Sequence, residues 1–575
     1  MRLSEALQVI GQAEGDAQRT VHLVCGFSPL HVETFLKAYL IQRSSGVRVN
    51  VATGLYGDLE GNLQRARETG GDGAIAVVEW SDLDSRLGLR ASAGWRAETL
   101  NDILVQVDER RERLKDGLAR LAAVMPVAVA GPALALPPLS ILPPTQSGDF
   151  ELHLNVAVTM LLQQVAQYPA ITVLSSGSLS LLSPAESRHD VKMELHAGFP
   201  YTLKHAEVLA HQSVQCLFPL PPKKGLITDL DQTLWKGILG DVGTDAVSWS
   251  LEGKSQVHAL YQQLLSSLAE SGVLVAIASK NDPTLVEEAL KRSDLLVEPS
   301  KIFPVEASWG PKSEAVSRIL KVWNIGADSV VLVDDSPMEL AEVGEQFPGL
   351  ECLRFPSDDP AAVVALLGQI RERFGKKRVL EEDRIRLQSI RNTAERPAEI
   401  AGEPTADFLA RLGAVMTLEA ASSDARAFEL VNKTNQFNLN GLRYTDAEWN
   451  AISQRPDGFL LTVAYEDRFG PLGRIAVLGG YYTKDTCHVD IWVMSCRAFS
   501  RQIEFQSIRQ LFAKTGAPEI RFRFKATDRN GPLQSFFASF SHGVELKDGE
   551  LRLGAEDFDR QCPQLFHKVN DKWMT

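Results

Sequence analysis

GLITDLDQTLW, residues 225–235, is the stretch whose reading decides the fold. Four apolar or small residues that suit a buried strand run into two aspartates, Asp229 and Asp231, spaced i, i+2. On an ideal strand, side chains two apart share a face. Here the chain leaves the sheet at this point, and both carboxylates can converge. Carboxylates at the carboxyl end of a parallel strand lie where open α/β sheets bind ligands. The surrounding sequence supports a parallel sheet: VLVAIASKND (273–282) and SVVLVDDSP (329–337) are further apolar runs ending in polar residues, with helix-like segments between them.

The Asp-x-Asp-x-Thr pattern resembles the first motif of the haloacid dehalogenase superfamily. That resemblance implies that Asp229 is a nucleophile toward phosphorus and Asp231 a general acid and base, with Thr233 supporting the turn. The later strand ends fit the same scheme. Ser279 is the expected hydroxyl for the phosphoryl oxygens, Lys312 the cation that offsets charge, and Asp334 and Asp335 hard oxygen ligands suited to Mg²⁺. Asp229, Asp231, Asp334 and Asp335 are the expected metal ligands, and Thr233, Lys280 and Asn281 are expected beside the phosphoryl group. Successive separations of 50, 33 and 22 residues from Asp229 through Ser279 and Lys312 to Asp334 each suit one or two strand–helix units. Neither gap between motifs leaves room for a large cap, so the site is expected to be open.

More specific stretches resemble the FkbH-like family: DLDQTLWKGILGDVG (229–243), SKNDP (279–283), NIGADSVVLVDDSPMEL (324–340), EEDRIR (381–386), NKTNQFNLNGLRYTDAEW (432–449) and WVMSCRAFSRQIE (492–504). The resemblance implies a multidomain α/β chain. Its parts are an SGNH-hydrolase-like, flavodoxin-type domain (1–220), a haloacid-dehalogenase-like Rossmannoid domain (221–375), a helical connector (376–400) and an acetyltransferase-like (GNAT-like) α+β domain (401–575). It also implies a substrate and a partner: 1,3-bisphosphoglycerate loses phosphate, and its glyceryl unit is loaded onto the phosphopantetheine thiol of an acyl carrier protein. In that scheme Cys496 holds the acyl group as a thiolate favoured by Arg497; the alternative is a cysteine that only packs at a strand end. Arg497 and Arg501 are alternatively a grip on the phosphopantetheine phosphate. Ala498, Ser500 and Gln502 depart from the glycine-rich acetyl-CoA loop. Asn435, Gln436, Asn438 and Arg443 line a polar pocket or make a capped helix end and turn. Loading of a carrier, hydrolysis of a small phosphorylated metabolite, and a non-catalytic scaffold are the three readings left open.

The N-terminal region alternates strand-like and helix-like runs, but its hydrolase signals are weak. Ser28 lacks a Gly-Asp-Ser setting, and no Asp-x-x-His follows in 185–215, although His189, Asp190, His196, His205 and His211 are present. A docking or lid role is expected instead, with YGDLEGN (56–62) and WSDLDSRLGLR (80–90) as surface loops. The connector 375–399 is rich in charge and reads as a helix with a solvated face.

Bulk properties narrow the classes. The chain has 575 residues, enough for three or four domains. Sixty basic against 73 acidic side chains give a net charge of −13, which disfavours non-specific nucleic-acid binding. No apolar stretch is long enough to span a membrane and the N-terminus lacks a signal-peptide pattern. The six cysteines form no Cys-x-x-Cys pair, so reduced thiols in a cytoplasmic protein are expected.

Overall fold

The computed structural model describes every residue except 14–16, 44–46, 92–95, 140, 141, 144, 377, 378, 395–405, 422, 423, 484, 485, 496, 497, 500, 528, 541–547, 574 and 575. The chain divides into two compact units, Met1–Leu220 and Pro221–Thr575. The expected central and C-terminal regions both fall in the second. No helix among the described residues is long and apolar enough to cross a membrane.

The first unit carries strands β1 (Ala17–Cys25), β2 (Val47–Thr53), β3 (Gly73–Val77), β4 (Val127–Ala130) and β5 (Ile171–Val173) in one parallel sheet of order β2-β1-β3-β4-β5. This is a doubly wound order, with its switch point between β1 and β3. Three of the histidines, His189, His205 and His211, have structural partners, His211 through Gln215 and the Tyr39 ring. His205 is buried and bonds Ser183 Oγ at 2.9 Å, and His189 pairs with Glu194. Residues 80–90 correct the expectation of a surface loop. Trp80, Asp82, Leu83 and Leu87 are buried; Asp82 Oδ2 accepts from the Glu79 N–H at 2.8 Å at the start of a short helix, Trp80–Leu83, and the Trp80 indole N–H donates to the Leu134 carbonyl at 2.8 Å.

The second unit begins with β6 (Gly225–Thr228), β7 (Leu274–Ser279), β8 (Ile302–Ala307), β9 (Val330–Asp334) and β10 (Glu351–Arg354), all parallel in the order β10-β9-β6-β7-β8. Every residue of β6, β7 and β9 is buried, as helices on both faces require. Gly225 is needed where it stands, because a Cβ there would lie 2.4 Å from the indole of Trp323. That indole is fixed by its own N–H donating to the Phe303 carbonyl at 2.8 Å.

A seven-stranded mixed sheet follows: β11 (Val415–Ala420), β12 (Gly458–Asp467), β13 (Gly470–Tyr482), β14 (Thr486–Met494), β15 (Glu519–Phe524), β16 (Gly549–Gly554) and β17 (Lys568–Lys572), in the order β16-β15-β14-β13-β12-β11-β17. The parallel pairing of β14 with β15 covers only Thr486–Val489 of β14. Beyond it the opening is filled by Phe437–Leu439: the Leu439 N–H donates to the Trp492 carbonyl at 2.9 Å and the Met494 N–H to the Phe437 carbonyl at 3.0 Å.

The charged connector also differs from its solvated expectation. Asp383 and Glu382 are buried, and Asp383 pairs with Arg386 at 2.6 Å and Lys376 at 2.9 Å. Ile390 joins the apolar layer of Trp323 and Leu332. The Asp383 pairs are local, but Arg386 also donates to the Gly272 carbonyl at 3.0 Å, 114 residues away, a contact that local sequence does not reveal.

Candidate active site

The three central strands of the second unit end in side chains that meet. Asp229 follows β6 directly, its N–H bonded to the Val333 carbonyl of β9 at 3.0 Å. Behind it the Tyr261 hydroxyl donates to Thr228 Oγ1 at 3.0 Å, and that hydroxyl donates to the Asp229 carbonyl at 2.8 Å. Ser279 closes β7 and Asp334 closes β9. After each of these two strands a helix starts within a few residues, by the same device. Asp282 caps a helix that opens on Pro283, and Ser336 caps one that opens on Pro337. The caps hold the two strand ends in place.

Lys312 is the first residue of the helix Lys312–Trp323, the end of a helix where a cation is disfavoured. Three carboxylates compensate. Its Nζ lies 3.0 Å from Asp229 Oδ1 and 2.5 Å from Glu339 Oε2, and it is in tight contact with Asp334. The ammonium is almost fully buried, and its partners hold its pKa above the usual lysine range against the opposing effect of burial. Asp229 is pushed up to about 7: burial raises it, Lys312 pulls it partly back, and Asp334 adds to the rise. Asp335 is raised by burial and by the neighbouring Asp334.

Asp229, Asp334 and Asp335 each offer an oxygen within 4.8 Å of the other two. Buried carboxylates that raise one another's pKa are short of positive charge, and oxygen-only donors suit a hard divalent cation. The residues present therefore fit Mg²⁺. Asp231, expected as a fourth ligand, lies outside this cluster, and its carboxylate is held elsewhere. Oδ1 accepts from Trp235 Nε1 at 2.9 Å and from the Leu239 N–H at 3.1 Å; Oδ2 accepts from Asn281 Nδ2 at 3.0 Å. Asn281 also donates to Ser279 Oγ at 3.1 Å, linking Asp231 to the end of β7. Thr233 is buried in the turn, its N–H bonded to the Leu230 carbonyl at 3.2 Å and its carbonyl to His258 Nδ1 at 2.9 Å. Gln232, with φ of 55°, takes the left-handed conformation the turn demands. Lys280 pairs with Glu339 at 3.0 Å.

The segment between β6 and the helix Gln256–Glu270 contains a short helix, Leu239–Val242, and an antiparallel bridge from Lys236 to Ser248. It is a flap rather than a cap domain. Sequence reasoning missed two contributors, Glu339 and Trp235. Trp235 lay inside the stretch that decides the fold, and its i, i+4 spacing from Asp231 was the available signal.

The C-terminal expectations separate from this cluster. Cys496 and Arg497 lie outside the described residues. Arg501 is buried and paired with Asp467 at 3.2 Å, with Tyr465 under its guanidinium. Arg443 donates to the carbonyls of Val431 at 2.9 Å and Thr434 at 2.8 Å and to Asn435 Oδ1 at 2.5 Å, so it closes a helix end and turn. Asn435 and Gln436 border a cavity described below.

Among solved structures the chain is similar to the N-terminal part of the protein BF1531 from Bacteroides fragilis, containing a phosphatase domain complexed with Mg. Identity is 20% and the TM-score 0.53, over 65% of this chain and 99% of that one. This shows a shared fold. An uncharacterized protein from Corynebacterium glutamicum matches at 21% identity over 26% of this chain and 95% of that one, with a TM-score of 0.18. A GCN5-related glucosamine N-acetyltransferase region of a fungal multi-domain GH3 β-N-acetylglucosaminidase matches at 11% identity, over 95% of this chain and 67% of that one, with a TM-score of 0.16. No family model matches the chain, and no curated protein does.

Proposed function

We propose that the second unit is a Mg²⁺-dependent, haloacid-dehalogenase-type phosphoryl-transfer enzyme with Asp229 as nucleophile. The observation that carries this reading is the convergence of Asp229, Lys312, Asp334 and Asp335 at the carboxyl ends of neighbouring parallel strands. Asp229, Asp334 and Asp335 would hold the cation, which when bound offsets charge on the phosphoryl oxygens. A carboxylate oxygen of Asp229 bonds to phosphorus as the leaving-group oxygen departs with a proton from Asp231. Asp231 then takes the proton of the incoming nucleophile that releases phosphate. Trp235, Leu239 and Asn281 fix Asp231 for both transfers. Ser279 binds a phosphoryl oxygen, and Lys312 neutralises charge that builds on it.

The finer reading is transfer of a glyceryl unit from 1,3-bisphosphoglycerate to an acyl carrier protein, supported by the resemblance of six separate stretches to the FkbH-like family. Atom balance divides the work. A thioester forms when a thiolate attacks the acyl carbon and that carbon's phosphate leaves; Cys496 is the residue for this step. The remaining phosphate ester is the substrate of Asp229. Attack by Asp229 on the acyl phosphate itself would release an unactivated carboxylate.

The test is intact-protein mass spectrometry of a phosphopantetheinylated carrier from the same organism, after incubation with the full chain, 1,3-bisphosphoglycerate and Mg²⁺. A glyceryl adduct is expected from the parent, and an adduct heavier by one phosphoryl group from Asp229→Asn. Phosphate release without any carrier adduct would instead favour a phosphatase of small metabolites. No phosphate release from any phosphate ester would end both readings.

A further inference from the structure

A cavity of about 570 Å³ lies at the other end of the β6–β9 sheet, between it and the seven-stranded sheet. Lys224, Leu274 and Ser329 border it, each at the amino end of a strand (β6, β7 and β9), whereas Asp229, Ser279 and Asp334 stand at the carboxyl ends. Four to six strand residues at about 3.3 Å each separate the two places.

The cavity wall carries an uneven set of charges. Arg386, Arg426 and Lys433 line it, and Lys376 stands behind Arg386 close enough for its charge to be felt. Two carboxylates sit among these four cations. Asp383 lies between Arg386 at 2.6 Å and Lys376 at 2.9 Å; Glu429 lies between Arg426 at 2.5 Å and Lys433 at 2.8 Å. Among the described residues, four cations against two carboxylates leave two positive charges, in a place where the side chains of Arg386 and Arg426 are only 13% and 9% exposed. Burial, and then the neighbouring Arg386, push Lys376 below its usual range, as expected for like charges crowded together. Arg426 is 7% exposed, and its Nε has no hydrogen-bond partner among the described residues. A buried donor without an acceptor is costly, and so is an unbalanced buried charge. Arg529 and Lys224 add cations at the rim, where Asp328 is 3.7 Å from Arg529.

We propose that this cavity is a second ligand site, taking the phosphate group of an organic phosphate, separate from the phosphoryl-transfer centre. A phosphate monoester carries about −1.5 to −2 charges at neutral pH, which matches the surplus, and its oxygens accept from Arg426 Nε. The space exceeds what a phosphate alone fills. Ile325, Leu430 and Met494 on the same wall give an apolar surface for the rest of the ligand. A cavity of this size is in the range that holds small-molecule ligands. The site stands independently of the catalytic reading, because none of its residues belongs to the Asp229 cluster.

The experiment is equilibrium dialysis of the full chain with radiolabelled orthophosphate in EDTA, at constant ionic strength. One saturable site is expected. Lys433→Gln is expected to weaken it about ten-fold, the loss of one charge-assisted contact. Glu429→Gln, which adds to the positive surplus, is expected to tighten it several-fold. Ser279→Ala, which alters only the catalytic end, is expected to leave it unchanged. Equal binding by the parent and Lys433→Gln, or loss of the site in Ser279→Ala, overturns the proposal. Circular dichroism first establishes that Lys433→Gln is folded; were it not, Glu429→Gln decides alone, and unchanged or weaker binding by that variant overturns the proposal.

Discussion

Lys312 Nζ lies 3.0 Å from Asp229 Oδ1, and the same ammonium also meets Asp334 and Glu339. One buried cation thus holds a proposed nucleophile and a proposed metal ligand at the ends of adjacent strands. Its removal leaves three carboxylates facing one another. Lys312→Met is expected to lower kcat by about 10²–10³, the scale for losing one preorganised charge in a dry site. It is also expected to destabilise the fold by about 3–5 kcal/mol, the cost of breaking a buried ion pair from one side. Turnover of a phosphate ester and a urea titration in EDTA check the two effects.

Asp229→Asn separates function from stability. Burial and Asp334 both disfavour the Asp229 carboxylate, while Lys312 keeps two other carboxylate partners when it is gone. Phosphate release is expected to fall below detection. Tm in EDTA is expected to equal or exceed that of the parent; a clear fall in Tm would show that the carboxylate stabilises the fold.

Magnesium should act on stability through the same charges. Binding to the folded chain alone stabilises it by about 2.7 kcal/mol at a hundred-fold excess over Kd. Mg²⁺ is therefore expected to raise Tm saturably in the parent. Asp335→Asn should shift that curve to higher Mg²⁺ by ten-fold or more. Thermal melts across a Mg²⁺ series at constant ionic strength measure this.

The first unit offers a pH test unconnected with catalysis. Glu79 is fully buried, and burial pushes its carboxyl up to about 7 even though Tyr201 and the Ala133 N–H donate to it. An unfolded glutamate titrates near 4.3. Between these values the folded state holds the extra proton, so stability falls as pH rises from about 4.3 to about 7 and then levels off. Glu79→Gln is expected to flatten that part of the dependence and to raise stability at pH 8. Urea midpoints of parent and variant at pH 5 and pH 8 give the comparison.

Short-range pattern carried much of the second unit's first sheet. β6, β7 and β9 are continuous apolar runs because they are buried on both faces, and their polar last residues stand out against that background. Contacts across long separations left no such trace. Glu339 meets Lys312 from another helix, and Asp383 and Arg386 look like surface charges until Gly272 is seen taking the Arg386 hydrogen bond at 3.0 Å from 114 residues away. Trp80 and Asp82 read as a loop for the same reason. Their burial depends on β3 and β4 lying side by side.

Asn281 gives the most discriminating test of the site. It was expected to touch the phosphoryl group, yet its amide donates to Asp231 at 3.0 Å and to Ser279 at 3.1 Å, so it acts as a positioning residue. Trp235 holds the other oxygen of Asp231 at 2.9 Å. A residue that binds substrate changes KM; one that orients the acid and base changes kcat. Asn281→Ala is expected to lower kcat by about 10–100-fold with KM altered less than three-fold, the scale of misplaced general acid–base groups. Trp235→Phe keeps the ring's bulk and removes only the N–H. It should lower kcat in the same sense but less, because the Leu239 N–H still holds Oδ1 at 3.1 Å. The double variant tests whether the two act on one group: the combined loss should differ from the product of the single losses, since neighbours sharing a partner are not additive. Steady-state kinetics on one phosphate ester across the four proteins decides it, and a rise in KM with kcat unchanged would return Asn281 to the substrate.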